Sequence, residues 1–124
     1  MKTFLLAGSL NMLLAVALGA FGAHGLKGRV TPEMLSAWQT GVLYHLAHAL
    51  GLLLVAVLTH LLPQASLLRP AGWTMLAGAV LFSGSLYLMV LTGTRQLGMI
   101  TPLGGVAFLV AWGLIALSAL RLPG

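Results

Sequence analysis

Four long apolar stretches alternate along the chain with short polar connections rich in glycine or proline, and this pattern predicts four helices. The apolar residues follow one another instead of alternating with polar ones, which is typical of membrane helices and not of barrel strands. About 20 such residues allow a helix to cross the roughly 30 Å hydrocarbon core of a bilayer. The sequence therefore predicts an all-α integral membrane bundle of four transmembrane helices, one domain over 1–124, with spans at 4–23, 38–62, 73–91 and 102–119.

The first span has some features of a secretory signal peptide, because Lys2 precedes its apolar run and the small residues Gly22 and Ala23 follow it. The run is longer than the apolar part of a signal peptide, so we expect it to be retained as a helix. Ala15, Gly19 and Ala23 recur at every fourth position. This spacing places small side chains on one helix face and predicts the close approach of another helix.

The second helix has a clear start at 31–33, where threonine can cap the helix, proline occupies the first turn and glutamate follows. A single helix over 32–62 would be about 46 Å long, which exceeds the thickness of the membrane core. We therefore expect a short interfacial turn at 32–37 and a bend near Trp38 to Gly41. Trp38 would then mark the boundary between water and lipid.

Composition excludes a soluble domain, since 60% of the residues are hydrophobic and only 6% are charged, against about 25% charged in soluble proteins. The net charge of +5 comes from basic residues that stand singly or in one pair, which favours membrane-flanking anchors over a nucleic-acid surface. The absence of cysteine excludes disulfides and thiolate metal sites. The basic residues do not predict which end of the bundle faces the cytoplasm, because three are expected at each membrane face. Lys2, Arg69 and Arg121 are expected at one face, and Lys27, Arg29 and Arg95 at the other.

Most of the polar chemistry is predicted to lie in one half of the bundle, because the ends of helices one and three share a membrane face with the starts of helices two and four. In the second span, Tyr44, His45 and His48 are three or four residues apart and can share one helix face. Ionisable side chains inside a membrane are functional candidates. The candidate polar cluster consists of His24, Tyr44, His48, Ser83, Tyr87, Arg95 and Thr101.

Two interpretations of this cluster stay open. In the first, its buried members form a hydrogen-bond network that fastens the helices of a structural or accessory membrane protein. In the second, the same residues line a pocket or half-channel for a small solute, a proton or a lipid headgroup. Arg95, beside the polar residues 92–94, is suited to an anionic headgroup or to a simple interfacial position.

A metal site is the third possibility, with His24, His45 and His48 as ligands and Glu33 as a fourth. The single acid, the absence of cysteine and the different depths of His24 and His48 argue against this site and against a haem between these two histidines. A Ser–His–acid arrangement would need Glu33, which is expected at the water boundary. We therefore expect no metal, no cofactor and no enzymatic activity.

Several motifs in this order resemble those of the domain-of-unknown-function 423 family, the YgdD-like small membrane proteins to which eukaryotic transmembrane protein 256 is similar. The motifs are GAFGAHG at 19–25, WQTG at 38–41 with Tyr44 and His48, LFSGSLY at 81–87, and ITPLGG at 100–105 with Trp112.

The resemblance covers nearly the whole chain, and it implies a small helical protein of the bacterial inner membrane without implying a particular activity. His24, Tyr44 and His48 match fixed positions of the family pattern, whereas His45 does not. Ala111 replaces the glycine expected before Trp112, which affects local packing.

Taken together, the residues and the resemblance lead us to expect a non-enzymatic structural or accessory protein of the plasma membrane. Its expected partners are membrane lipids and either further copies of itself or other membrane proteins, and no nucleic acid.

Overall fold

Four long helices account for most of the chain in the computed structural model, which describes all 124 residues. Each helix is long and apolar enough to cross a membrane, so the predicted all-α membrane bundle is confirmed. The helices are α1 (Lys2–Phe21), α2 (Pro32–Leu61), α3 (Leu68–Thr92) and α4 (Thr101–Leu120). A π-helical turn, Gly22–Leu26, extends α1, and a 3₁₀ turn, Arg95–Met99, precedes α4.

Helix α2 is one continuous helix over Pro32–Leu61, so the residues 32–37 belong to it and do not form a separate interfacial turn. The helix begins as predicted, since the Thr31 side chain accepts a hydrogen bond from the Met34 amide at 3.1 Å. The helix continues past Gly41, where the glycine allows close packing. A β-carbon there would lie 3.1 Å from the ring of Tyr87 on α3.

Trp38 is only 1% exposed and is packed inside the protein, while its position at the level of the boundary between water and lipid stays a prediction. Its indole Nε1 donates a hydrogen bond to the Leu18 carbonyl of α1 at 2.9 Å, and its ring lies 4.7 Å from that of Tyr87. These contacts explain why α2 extends beyond the length that a membrane span requires. Its first turns carry Trp38 into a small core with Leu26, Tyr87 and Val90.

Consecutive helices pack against each other, so α2 and α3 are central while α1 and α4 lie outside them. The small residues Ala15 and Gly19 of α1 lie on a packed face as predicted: Ala15 is fully buried, and a β-carbon at Gly19 would lie 3.1 Å from Val42. Ala23 is exposed. The closest approach joins α3 and α4, where a β-carbon on Gly104 would lie 2.7 Å from the Phe82 Cα.

The two ends of the bundle differ in their charges. At the Arg95 end, where α2 and α4 begin, Arg95 donates to the Glu33 carboxylate at 2.9 Å. The two side chains are 65% and 72% exposed, so this ion pair contributes less than about 1 kcal/mol. The opposite end, here the Arg121 end, carries Lys2, Arg69 and Arg121 and no acidic side chain.

Candidate functional site

His45 joins three helices through hydrogen bonds from both nitrogens of its ring. Its Nδ1 lies 2.9 Å from the Tyr87 hydroxyl on α3, and its Nε2 lies 2.9 Å from Oδ1 of Asn11 on α1. The amide of Asn11 in turn donates to the Ala7 carbonyl at 2.8 Å. The imidazole is only 6% exposed, so this chain of hydrogen bonds crosses the apolar interior.

The partners of His45 determine which of its nitrogens carries the proton. Because the Asn11 NH₂ group is used on Ala7, the amide oxygen faces the imidazole and can only accept. The Nε2 of His45 therefore carries a hydrogen and donates it to Asn11. In the neutral ring, Nδ1 then accepts from the Tyr87 hydroxyl.

His48 carries its hydrogen on the other ring nitrogen, and its partners lie on its own helix and on α4. Its Nδ1 lies 2.7 Å from the Tyr44 carbonyl, which can only accept, so Nδ1 carries the hydrogen. Its Nε2 accepts from the indole N–H of Trp112 at 3.0 Å. The ring also stacks on Phe108 with 3.5 Å between the centroids. A second proton, on Nε2, would face the Trp112 N–H and break this contact.

Two further hydroxyl groups connect helices by separate hydrogen bonds. Ser83, which is fully buried, donates to the Gly41 carbonyl of α2 at 2.7 Å. Ser85 donates to the Phe82 carbonyl at 2.8 Å, and its oxygen lies 2.6 Å from the hydroxyl of Thr101. Because the one Ser85 hydrogen is already used, Thr101 is the donor in the second bond.

The predicted cluster is thus divided among several separate contacts. Tyr87 bonds to His45, His48 to Trp112, Ser83 to Gly41, Thr101 to Ser85 and Arg95 to Glu33. Tyr44 is 41% exposed, with its ring 4.5 Å from that of Phe82. His24 is exposed in the π-helical turn and makes no side-chain hydrogen bond.

The predicted cluster left out four of the residues that complete these contacts: Asn11, His45, Ser85 and Trp112. His45 had been considered on the shared face of the second span and as a metal ligand. Asn11 was the clearest available signal, since an amide inside an apolar helix requires a partner on another helix. His45 was assigned less weight because the family pattern does not fix it, although the structure gives it the longest chain of hydrogen bonds. Trp112 carries an indole donor whose partner cannot be identified from spacing on α4.

No group of three or more histidine or acidic side chains comes together in a way that could hold a metal ion. His45 and His48 point to different helices and bond to different partners. The set of His24, His45 and His48 considered from the sequence is therefore not one site in this structure.

Two grooves on the bundle surface lead to these histidines. The larger, of about 520 Å³, lies between α2 and α4 and has aromatic walls formed by Tyr44, Phe82, Phe108 and Trp112, with His48 at its base. The smaller, of about 240 Å³, exposes part of the Asn11–His45–Tyr87 contact and is otherwise apolar. The Tyr44 side chain makes no hydrogen bond within the chain, which leaves its hydroxyl as an open polar group beside the larger groove.

The family model described as "Protein of unknown function (DUF423)" matches residues 18–105. The chain belongs to this family. The match includes the last residues of α1, all of α2 and α3 and the start of α4. It thus contains both histidines with their partners Tyr44 and Tyr87, while Asn11 and Trp112 lie outside it.

Relatives cover all or nearly all of the chain. It is 53% identical over 121 residues to the UPF0382 membrane protein YwdK of Bacillus subtilis, with 98% of each chain covered. It is 41% identical over 124 residues to the UPF0382 membrane protein SAB0533 of Staphylococcus aureus, with all of both chains covered. No solved structure matches. The chain is accordingly a small membrane protein whose relatives carry names that state a location and no activity.

Proposed function

We propose that this protein is a non-enzymatic structural or accessory protein of the bacterial plasma membrane. The observation that supports this role most strongly is that all four ring nitrogens of His45 and His48 are paired with protein groups. No buried side-chain nitrogen or oxygen lacks a partner. The intramembrane imidazoles thus act as fixed connections between helices.

Imidazoles whose nitrogens are all hydrogen-bonded to protein groups are poorly suited to proton transfer or catalysis. A proton carrier needs a ring nitrogen that can gain and lose a proton along an accessible path. His48 would have to give up Trp112 to accept a proton, and His45 would have to exchange donors with Tyr87. Both changes would loosen the bundle, which favours a structural role.

The plasma membrane is the proposed location because apolar helices, and not barrel strands, form the spans, whereas outer-membrane proteins are typically barrels. The outer helices expose large apolar side chains such as Leu13 on α1 and Leu109 on α4, which are 64% and 74% exposed. We propose that lipids cover these faces, together with further copies of the chain or other membrane proteins.

A second candidate function is the binding of an apolar molecule that carries a hydrogen-bond acceptor. The aromatic groove and the open Tyr44 hydroxyl beside it favour this possibility. A ligand in this position would contact the aromatic rings from the lipid side and accept from Tyr44, while the histidine beneath keeps its own bonds.

Native mass spectrometry with elemental analysis, combined with thermal unfolding in detergent, tests the proposed role. We expect His48→Ala to lower the free energy of unfolding by about 1–2 kcal/mol, because the Trp112 N–H loses its acceptor. Trp112→Phe removes the same hydrogen bond from the other side and serves as the matched variant. Neither change is expected to remove a metal or small molecule from the purified protein.

The opposite outcome would be a stoichiometric metal or small molecule that the wild type retains and both variants lose, with unfolding unchanged. That result would contradict the structural role. A bound molecule lost on Tyr44→Phe alone would instead support the second candidate.

A further inference from the structure

A small pocket lined by both polar and apolar residues lies at the Arg121 end of the bundle, between the α2–α3 turn and the end of α4. Its volume is about 200 Å³. Gln64 and Ser66 line it from the turn, and Ser118 and Arg121 line it from the end of α4. Leu67 and Leu122 line the same pocket, so polar donors and apolar side chains are adjacent.

Of the four polar side chains that line this pocket, Ser118 donates to the Leu114 carbonyl. The other three, Gln64, Ser66 and Arg121, are exposed and form no side-chain hydrogen bond or ion pair within the protein. A guanidinium group carries five N–H donors in a planar arrangement that suits phosphate and carboxylate oxygens. Together with the exposed amide of Gln64 and hydroxyl of Ser66, it leaves several donors free to bind acceptors from outside the chain.

No acidic side chain can compensate the charge of this pocket. Glu33 is the single acid in the sequence, and it is paired with Arg95 at the opposite end of the bundle. A second arginine adds positive charge nearby, because Arg69 lines a pocket of about 120 Å³ that shares Ala65 with the first pocket. Ser66 lines both pockets.

We propose that the pocket at Gln64, Ser66 and Arg121 binds the phosphate group of an anionic phospholipid. The pocket lies where transmembrane helices end, at the level of the lipid headgroups, and basic pockets of this kind bind anionic headgroups. Its donors match phosphate oxygens, and the exposed Leu120, next to Arg121, is positioned to contact an acyl chain. This inference is independent of the roles of His45 and His48.

Native mass spectrometry of the full chain in detergent, titrated with phosphatidylglycerol or with phosphatidylcholine of the same acyl chains, tests the proposal. We expect one phosphatidylglycerol to bind first, and Arg121→Gln to weaken this step about tenfold, as loss of a charge-assisted hydrogen bond implies. Gln64→Ala should weaken it severalfold without a change in charge. Phosphatidylcholine should bind less tightly and respond little to either variant.

Arg29→Gln is the matched control, because it removes one exposed positive charge from the Arg95 end of the bundle. Equal weakening by Arg29→Gln and Arg121→Gln would indicate attraction by net charge alone and would overturn the proposal, as would full binding by Arg121→Gln. Titration with inorganic phosphate separates the two sources of the phosphate group. Binding of the free ion with the same dependence on Arg121, and no preference for the lipid, would overturn the lipid assignment.

Discussion

Gly104→Ala is expected to lower the free energy of unfolding by about 3 kcal/mol, the largest effect of any single methyl group in this bundle. The added carbon would lie 2.7 Å from the Phe82 Cα. Because the obstacle is the backbone of α3, no side-chain rotation can relieve the overlap. Helices α3 and α4 would have to separate, and the Thr101–Ser85 hydrogen bond near this contact would lengthen.

Gly105→Ala is a stringent control, since it adds the same methyl group one residue further along α4. There the nearest atoms belong to the Phe82 ring at 3.9 Å, an ordinary contact distance. We expect this variant to be as stable as the wild type or slightly more so, because alanine favours helix by up to about 1 kcal/mol over glycine. Unfolding with SDS in mixed micelles measures both variants, and equal stability of the two would contradict the packing described for α3 and α4.

His45→Ala is expected to cost about 2–4 kcal/mol of unfolding free energy. The change removes two interhelical hydrogen bonds, each worth about 0.6–1.7 kcal/mol in a membrane, and leaves a cavity where the ring stood. It also leaves the Tyr87 hydroxyl and the Asn11 amide oxygen without their hydrogen-bond partner in an apolar interior. The same SDS titration gives the value directly.

His24→Ala is the matched control for His45→Ala, because His24 is exposed and makes no side-chain hydrogen bond. Its expected effect lies within about 0.5 kcal/mol of zero. A double-mutant cycle of His45→Ala with Asn11→Ala should show that the two losses are not additive, since each variant removes the same bond. Additive losses, or equal stability of the His24 and His45 variants, would contradict the hydrogen bond between Asn11 of α1 and His45 of α2.

The helices could be predicted from sequence because their signals are local. Long apolar runs, a threonine cap and prolines in first turns do not depend on distant residues. The continuity of α2 depends instead on tertiary contacts, since Trp38 donates a hydrogen bond to the Leu18 carbonyl and packs against the ring of Tyr87. The enrichment of tryptophan at membrane interfaces is an average tendency, and it gives no information on which side chains Trp38 contacts.

The candidate site was harder to predict, because hydrogen-bond partners in a bundle are set by the rotation of each helix about its axis. The sequence located His48 and Tyr87 in the correct segments, but their spacing gave no information on Trp112 or Asn11. The four helices have apolar residues on all sides, so no polar face indicates which way each helix turns. The hydrogen bonds of His45 to Asn11 and Tyr87 can therefore be identified only from the three-dimensional structure.

The opposite tautomers of His45 and His48 provide the most direct test that these residues are fixed connections between helices. We would record ¹⁵N solid-state NMR spectra of the imidazole nitrogens in lipid bilayers, using a variant with His24→Ala and His60→Ala so that only these two histidines remain. The structure predicts two neutral rings at neutral pH, with the hydrogen on Nε2 of His45 and on Nδ1 of His48. Two rings in the same tautomer, or a charged ring exchanging protons with water, would contradict the structural role.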